Sequence, residues 1–210
     1  MRAITKQTEP PSLTQHRATA HSDYDNFADK DALRIQLTAE QRGVCCYCTE
    51  RIRPEADAMK IEHWRCQTHH PENQLDYWNM LGACLGNEGK PKKHQHCDTK
   101  KGDQSLSKNP ADLQHRIEEL IHFRSDGTIH SQDSGFNQEL NMVLNLNLPS
   151  IKNNRVAALD AFTKGLNKRG RLGKEQLLKL LAEWSGQDGS KLEAYSPVVV
   201  YWLRKKLARI

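Results

Sequence analysis

The sequence predicts an α+β protein, mostly helical, assembled around a small metal-clamped core. Three observations lead there. Four of the six cysteines, Cys45, Cys48, Cys84 and Cys97, stand in two groups around a short apolar run, Met59 to His63. After residue 109 the chain carries apolar residues at helical spacing in one segment after another. No apolar run approaches the roughly 20 residues needed to span a bilayer.

The totals narrow the class. At 210 residues the chain suits one large domain or two small ones. Hydrophobic content of 37% and a mean hydropathy of -0.80 are polar for a globular protein, yet above the disordered range. Met1-Arg2-Ala3-Ile4-Thr5-Lys6 lacks the apolar core of a signal peptide, which predicts a cytoplasmic protein without a membrane partner. In that compartment cysteines serve metals more often than disulfides. The net charge of +5 is compatible with a polyanionic partner. Three basic clusters carry it: Lys164, Lys168, Arg169, Arg171 and Lys174; Arg204, Lys205, Lys206 and Arg209; and Lys90, Lys92, Lys93, Lys100 and Lys101. The first two fit solvated helix faces as well as a partner surface. The third crowds the last cysteine and points to phosphate.

In order, residues 1–28 hold Pro10, Pro11 and little periodicity, and predict an extended N-terminal arm. Residues 29–108 form the domain that carries the chemistry. Asp29 to Leu37 is weakly helical, and Thr38 then looks like the N-cap of a fresh helix with Gln41 at the capping-box position. Gly43 stops that helix, and Val44 to Cys48 makes a tight turn presenting thiolates. Met59 to His63 reads as a strand, residues 65–76 as a polar loop, Tyr77 to Leu81 as a return to apolar character, and Leu85 to His96 as an exposed loop. A short helix is expected from Asp98. Residues 109–210 form a helical C-terminal region, a candidate docking surface for a partner. Asn109-Pro110 opens a helix with Leu113, Ile117, Leu120 and Ile121 on one face. Asp126-Gly127 signals a tight hairpin. Further helices are expected over Asn137 to Asn145, from Ser150 as cap past Phe162, over Lys174 to Trp184, and from Ser196-Pro197 to the end.

The chemistry rests on residue types and spacing. Cys45-x-x-Cys48 is half of a zinc knuckle, since two thiolates in one turn bind one tetrahedral ion. Cys84 and Cys97 complete the set across a long loop, whose closure costs entropy only logarithmically. His94 or His96 in place of one of that pair is the rival assignment. Cys46 and Cys66 are left as small buried hydrophobes. Glu62-His63, at the strand end, sets a carboxylate beside a base. His63 takes a proton near neutral pH. Glu62, with Asp98 just after Cys97, offers oxygens to a Mg²⁺-type ion, Mg²⁺ or Mn²⁺. Lys101, and with it Lys100, is placed to hold a phosphate.

The ordered series Cys45-x-x-Cys48, Glu62-His63, Asn79, Cys84 and Cys97-Asp98-x-x-Lys101-Gly102 resembles an HNH endonuclease with a ββα-metal core and a four-cysteine zinc clamp. The resemblance implies His63 as general base, Glu62 and Asp98 as ligands of the catalytic cation, Asn79 as the residue that braces the loop and orients the base, and Lys101 as the basic residue after them. Asp98 departs from the usual His or Asn. The Cys-Cys-Tyr-Cys start, the Glu-His-Trp-Arg variant and the helical C-terminal half are similar to the HNH subunits of Septu-type and retron-associated antiphage systems. That likeness implies control by an SMC/ABC-like ATPase, an association with a retron RNA–DNA assembly, and cleavage of DNA. RNA such as tRNA as substrate, or a zinc-ribbon nucleic-acid adaptor that does no catalysis, are the alternatives.

Overall fold

The computed structural model describes residues 1–168, 170, 172–187 and 189–210. Arg169 and Arg171 of the first basic cluster lie outside the described residues. Helices dominate, accompanied by two small two-stranded antiparallel sheets.

The N-terminal residues are not simply an extended arm. Pro11 sits in the first turn of α1 (Pro11–Arg17), where its missing N–H has no helical partner to lose. Leu13 and Phe27 pack with Leu33, Leu37, Tyr77 and Met80. Lys6 anchors the segment. Its fully buried ammonium pairs with Glu40 at 3.0 Å, donates to the Met80 carbonyl at 3.0 Å and lies 3.5 Å from the Tyr77 ring centroid.

One continuous helix, α2 (Lys30–Glu40), replaces the two short ones expected. Asp29 accepts from Ala32 N and caps it, and Thr38 lies in its interior. Gln41 ends the helix instead of starting one. Its side-chain amide clamps the next strand, donating to the Gly82 carbonyl at 2.7 Å and accepting from Gly82 N at 2.6 Å. A Cβ at Gly82 would meet the Met59 methyl at 3.0 Å and the Gln41 amide nitrogen at 3.2 Å.

Strand β1 (Lys60–His63) pairs antiparallel with β2 (Met80–Ala83), with Glu62 opposite Leu81 and His63 opposite Met80. Helix α3 (Cys97–Lys101) comes next, so the three elements succeed one another as ββα. The loop between Cys84 and Cys97 is cinched at its base. His96 N donates to the Gly86 carbonyl at 3.0 Å, and Gly86 sits at φ +56°, where a Cβ would fall 2.1 Å from the His96 oxygen. Asn87 ties the His94 carbonyl at 2.8 Å, and Asn145 ties that of Gln95 at 2.8 Å.

The helix expected from Asn109 is mostly absent. Asn109 instead closes a turn, accepting from Ala111 N at 2.8 Å, and Arg116 in the left-handed region at φ +46° separates a 3-10 turn at Leu113–His115 from the one-turn α4 (Ile117–Leu120). Leu113 is accordingly exposed. Strands β3 (Ile121–Phe123) and β4 (Ile129–Ser131) form the hairpin signalled by Asp126-Gly127. Helix α5 (Ser134–Gln138) is capped by Asp133 and runs into a π-helical turn at Glu139–Val143. In α6 (Pro149–Asn167) Pro149 takes the first turn, so Ser150 is not the cap; Asp160 is exposed, as its place off the apolar face requires. Helices α7 (Lys174–Trp184) and α8 (Ser196–Leu207) stand where expected. Leu177 and Leu180 of α7 pack with Phe162, Leu166, Val199 and Leu203. The largest apolar cluster joins Cys45, Cys48, Cys84 and Cys97 to Ile117, Phe136, Leu144 and Tyr195. Among the described residues no helix is long and apolar enough to cross a membrane.

Candidate metal centre

The four cysteines meet. Cys45, Cys48, Cys84 and Cys97 are buried, and their sulfurs lie within 4.8 Å of one another. Cys45 and Cys97 Sγ are 3.8 Å apart, and Cys48 and Cys84 Sγ 3.6 Å. A regular tetrahedron with Zn–S bonds of about 2.3 Å has edges of about 3.8 Å, so the sulfur set has the size that a zinc ion needs. Backbone bonds hold it: Cys45 N to the Glu50 carbonyl at 2.8 Å, Cys46 N to Gly82 at 3.0 Å and Cys97 N to Leu144 at 2.9 Å. Hydrogen bonding within the cluster sets its thiols apart, holding Cys45 well below its ordinary value, while burial pushes Cys97 up.

The histidine rivals differ in position. His94 is exposed. His96 is buried with Nδ1 3.2 Å from Cys97 Sγ and 3.9 Å from Cys84 Sγ, and with Glu50 and Cys84 it forms a second group able to hold a metal. Cys46 and Cys66 are buried, and Cys66 Sγ donates to the Asp103 carbonyl at 3.4 Å.

Glu62 and His63 lie on the far end of β1, on opposite sides of the pleat yet both buried. Tyr47, from the cysteine turn, donates to Glu62 Oε1 at 2.6 Å. Burial, and then the Asp98 carboxyl, push Glu62 well above the ordinary carboxylate range; Lys101 and Tyr47 pull the other way. Asp98 keeps 21% side-chain exposure, which leaves the pair open on one side, with Lys60 3.9 Å away.

His63 Nε2 lies 3.0 Å from the Gln74 carbonyl oxygen, which only accepts. Nε2 therefore carries the proton, and Nδ1 is the basic nitrogen. The Gln67 side-chain amide stands 3.3 Å from Nδ1, and the Tyr24 ring packs edge-on against the imidazole, centroids 4.5 Å apart. Burial lowers the imidazole below its ordinary value, against the pull of the Gln74 carbonyl and Asp98. Asn79 organises the intervening loop. Its Oδ1 accepts from Arg65 N at 2.7 Å, and its Nδ2 donates to the carbonyls of Arg65 at 3.0 Å and Asn73 at 3.2 Å. Trp64 N completes the seam on the Asn79 carbonyl at 2.9 Å.

Lys101 departs from expectation. Instead of reaching out to phosphate it is 1% exposed, with Nζ donating to Glu62 at 2.9 Å and to the His63 carbonyl at 3.1 Å. Helix α3 turns it inward against β1, where it serves as counter-ion to the buried carboxylate. Lys100 is half-buried and donates to the Lys92 carbonyl at 3.4 Å; Lys90, Lys92 and Lys93 beside it are exposed.

Four further contributors carry little or no signal in the sequence. Tyr47 stands inside the cysteine motif, and a tyrosine among ligands is the one available cue. Tyr24 and Gln67 belong to no pattern, and Gln74 acts through its backbone, which side-chain identity does not encode. Neither a family model nor a curated protein matches the chain.

Proposed function

We propose that this chain is a metal-dependent HNH-type endonuclease that hydrolyses phosphodiester bonds, with DNA as the default substrate because water activation requires no 2′-hydroxyl. The observation that carries it is the tautomer-fixed His63 at the end of β1, next in the chain to a buried Glu62 that the Asp98 carboxyl perturbs, on a hairpin braced by a four-cysteine cluster. Zinc suits the sulfur set as a structural ion. Hard oxygens suit Mg²⁺ or Mn²⁺ at Glu62 and Asp98, and such an ion would supply charge stabilisation at the phosphate.

The chain's own residues do the rest. His63 Nδ1 accepts the proton of the attacking water once Gln67 gives way. The Gln74 carbonyl holds the ring in that tautomer, and Asn79 holds the loop that carries Gln74. Lys101 fixes the His63 carbonyl and Glu62 together. The exposed Lys90, Lys92 and Lys93, with Lys100, offer phosphate contacts along one side. The family resemblance implies such an effector in antiphage defence under an SMC/ABC-like ATPase, alongside a retron assembly in some systems, with the C-terminal helices as docking surface.

The test is digestion of DNA and RNA side by side, with the purified chain alone and with its co-purifying partner, in Mg²⁺ or Mn²⁺. Cleavage should appear, vanish with chelator, and vanish in His63→Ala. Cleavage at the wild-type rate by His63→Ala would sink the nuclease reading. Nucleic-acid binding without cleavage under every condition would favour the adaptor.

A further inference from the structure

Strand alternation decides what the second hairpin shows on its outer face. Ile121 and Ile129 point into the core and are buried. His122 and His130, opposite each other in the register, share the other face. Their half-buried rings are stacked, with centroids 5.5 Å apart and planes 28° from parallel. Arg124 extends β3, its N donating to the Thr128 carbonyl at 2.9 Å. By the same alternation its exposed side chain falls on the His122 side. From α8, Tyr201 meets the His122 ring edge-on at 5.8 Å. Lys205, one turn later on α8, stands with Nζ 5.5 Å from the Tyr201 ring centroid.

The charge on this face is positive and unanswered. Arg124 and Lys205 are exposed, as are Lys206 and Arg209 towards the end of the chain, and among the described residues none of the four forms an ion pair. The acids of α4 and of the hairpin turn are already engaged, Glu118 with Arg204 at 2.9 Å, Glu119 with Arg116 at 2.6 Å and Asp126 with Lys152 at 2.7 Å. Rings interleaved with unpaired cations suit a single strand of nucleic acid, whose bases stack on rings while its phosphates meet the cations. An acidic protein surface would meet the cations but leave the rings without a role.

We propose that this face, built by β3, β4 and α8, binds single-stranded nucleic acid, with His122, His130 and Tyr201 taking bases and Arg124 and Lys205 taking phosphates. It lies on other elements than those that carry His63 and needs neither metal nor cleavage, so it stands apart from the nuclease reading.

The experiment is fluorescence anisotropy with labelled oligothymidine, oligouridine and a duplex of equal length, over a salt series without added Mg²⁺ or Mn²⁺. Wild type should bind the single strands more tightly than the duplex, and either sugar satisfies the proposal. Arg124→Gln with Lys205→Gln should lower the slope of log affinity against log salt by about 1.4, because each phosphate contact on a single strand contributes about 0.7. His130→Ala should weaken binding about 5–150-fold, the range for one lost stacked base, and leave the slope unchanged. Melting curves should show both proteins folded, since the replaced side chains are exposed or half-buried. Failure of wild type to bind either single strand overturns the proposal, and so does binding that the double charge variant leaves unaltered. Equal binding of strand and duplex, with no effect of His130→Ala, makes the face a general cationic surface and also overturns it. A charge variant that loses a co-purifying protein yet keeps its oligonucleotide affinity assigns the face to protein docking, and the proposal falls.

Discussion

Two side chains expected to serve the same reaction turn out to differ in kind. His63 is a buried base whose proton is parked on Nε2 by a carbonyl, whereas Lys101 is a buried cation that neutralises Glu62. Each difference has a measurable consequence. Burial lowers His63 below its ordinary 6.5, and a general base works in its neutral form. Under the proposed nuclease function, the cleavage rate should therefore hold its plateau through pH 7 and fall only below pH 6.5, as His63 takes up its proton. A pH–rate profile with an acid limb centred above 6.5 contradicts this. Lys101→Ala leaves Glu62 buried without its cation, and breaking a buried pair costs about 3–5 kcal/mol. Urea denaturation should show that loss. A variant of wild-type stability with weakened nucleic-acid binding would return Lys101 to the phosphate-contact role.

Among the elements, those with strong local signals stand where the sequence puts them. The Asp-Gly hairpin, α7, and α8 opened by Ser196-Pro197 are examples, because turn chemistry and helical spacing act over a few residues. The failures are of another sort. Thr38-Ala39-Glu40-Gln41 has the letters of a capping box, but Asp29 caps a helix that runs through Thr38, and the Gln41 side chain is engaged with Gly82. Asn109-Pro110 has the letters of a helix start, but Arg116 in the left-handed region interrupts the run. The hairpin turn seats on α6: Gly127 at φ +79° leaves no room for a Cβ, which would fall 2.2 Å from the Lys152 carbonyl oxygen, and Lys152 reaches Asp126 at 2.7 Å. Gly127→Ala should destabilise by about 1–3 kcal/mol, from the strained backbone alone. Thermal melting checks it; a negligible loss would mean that the turn shifts freely.

At the scale of the molecule, one apolar cluster contains the four cysteines and side chains from α4, β3, β4, α5 and α6. A metal ion held by the cysteines would therefore sit in the same core as α4, the second hairpin, α5 and the start of α6. Structural zinc contributes its binding free energy to folding. Cys48→Ser should lose stoichiometric zinc and lower the melting temperature of the whole chain, as should chelation of wild type. Metal analysis and circular dichroism test this together. A Cys48→Ser protein that melts like wild type would remove the cysteine cluster from any part in stability.

The sequence by itself determined the residue types that make a centre possible. Cysteine spacing, the Glu62-His63 pair and the periodic helices are local patterns, and local patterns are what a linear string records. It also predicted the first strand of the central hairpin and the apolar segment in which the second begins. Tertiary structure decided which atoms face which. The long Cys84–Cys97 loop is cinched by Gly86 and Asn145 so that both sulfurs reach the cluster. The tautomer of His63 rests on a backbone carbonyl, and the inward turn of Lys101 on the placement of α3 against β1. Each depends on groups distant in sequence or on backbone atoms common to every residue, and on charges whose worth is set by burial. No spacing rule encodes those, because they come into being only when the core closes.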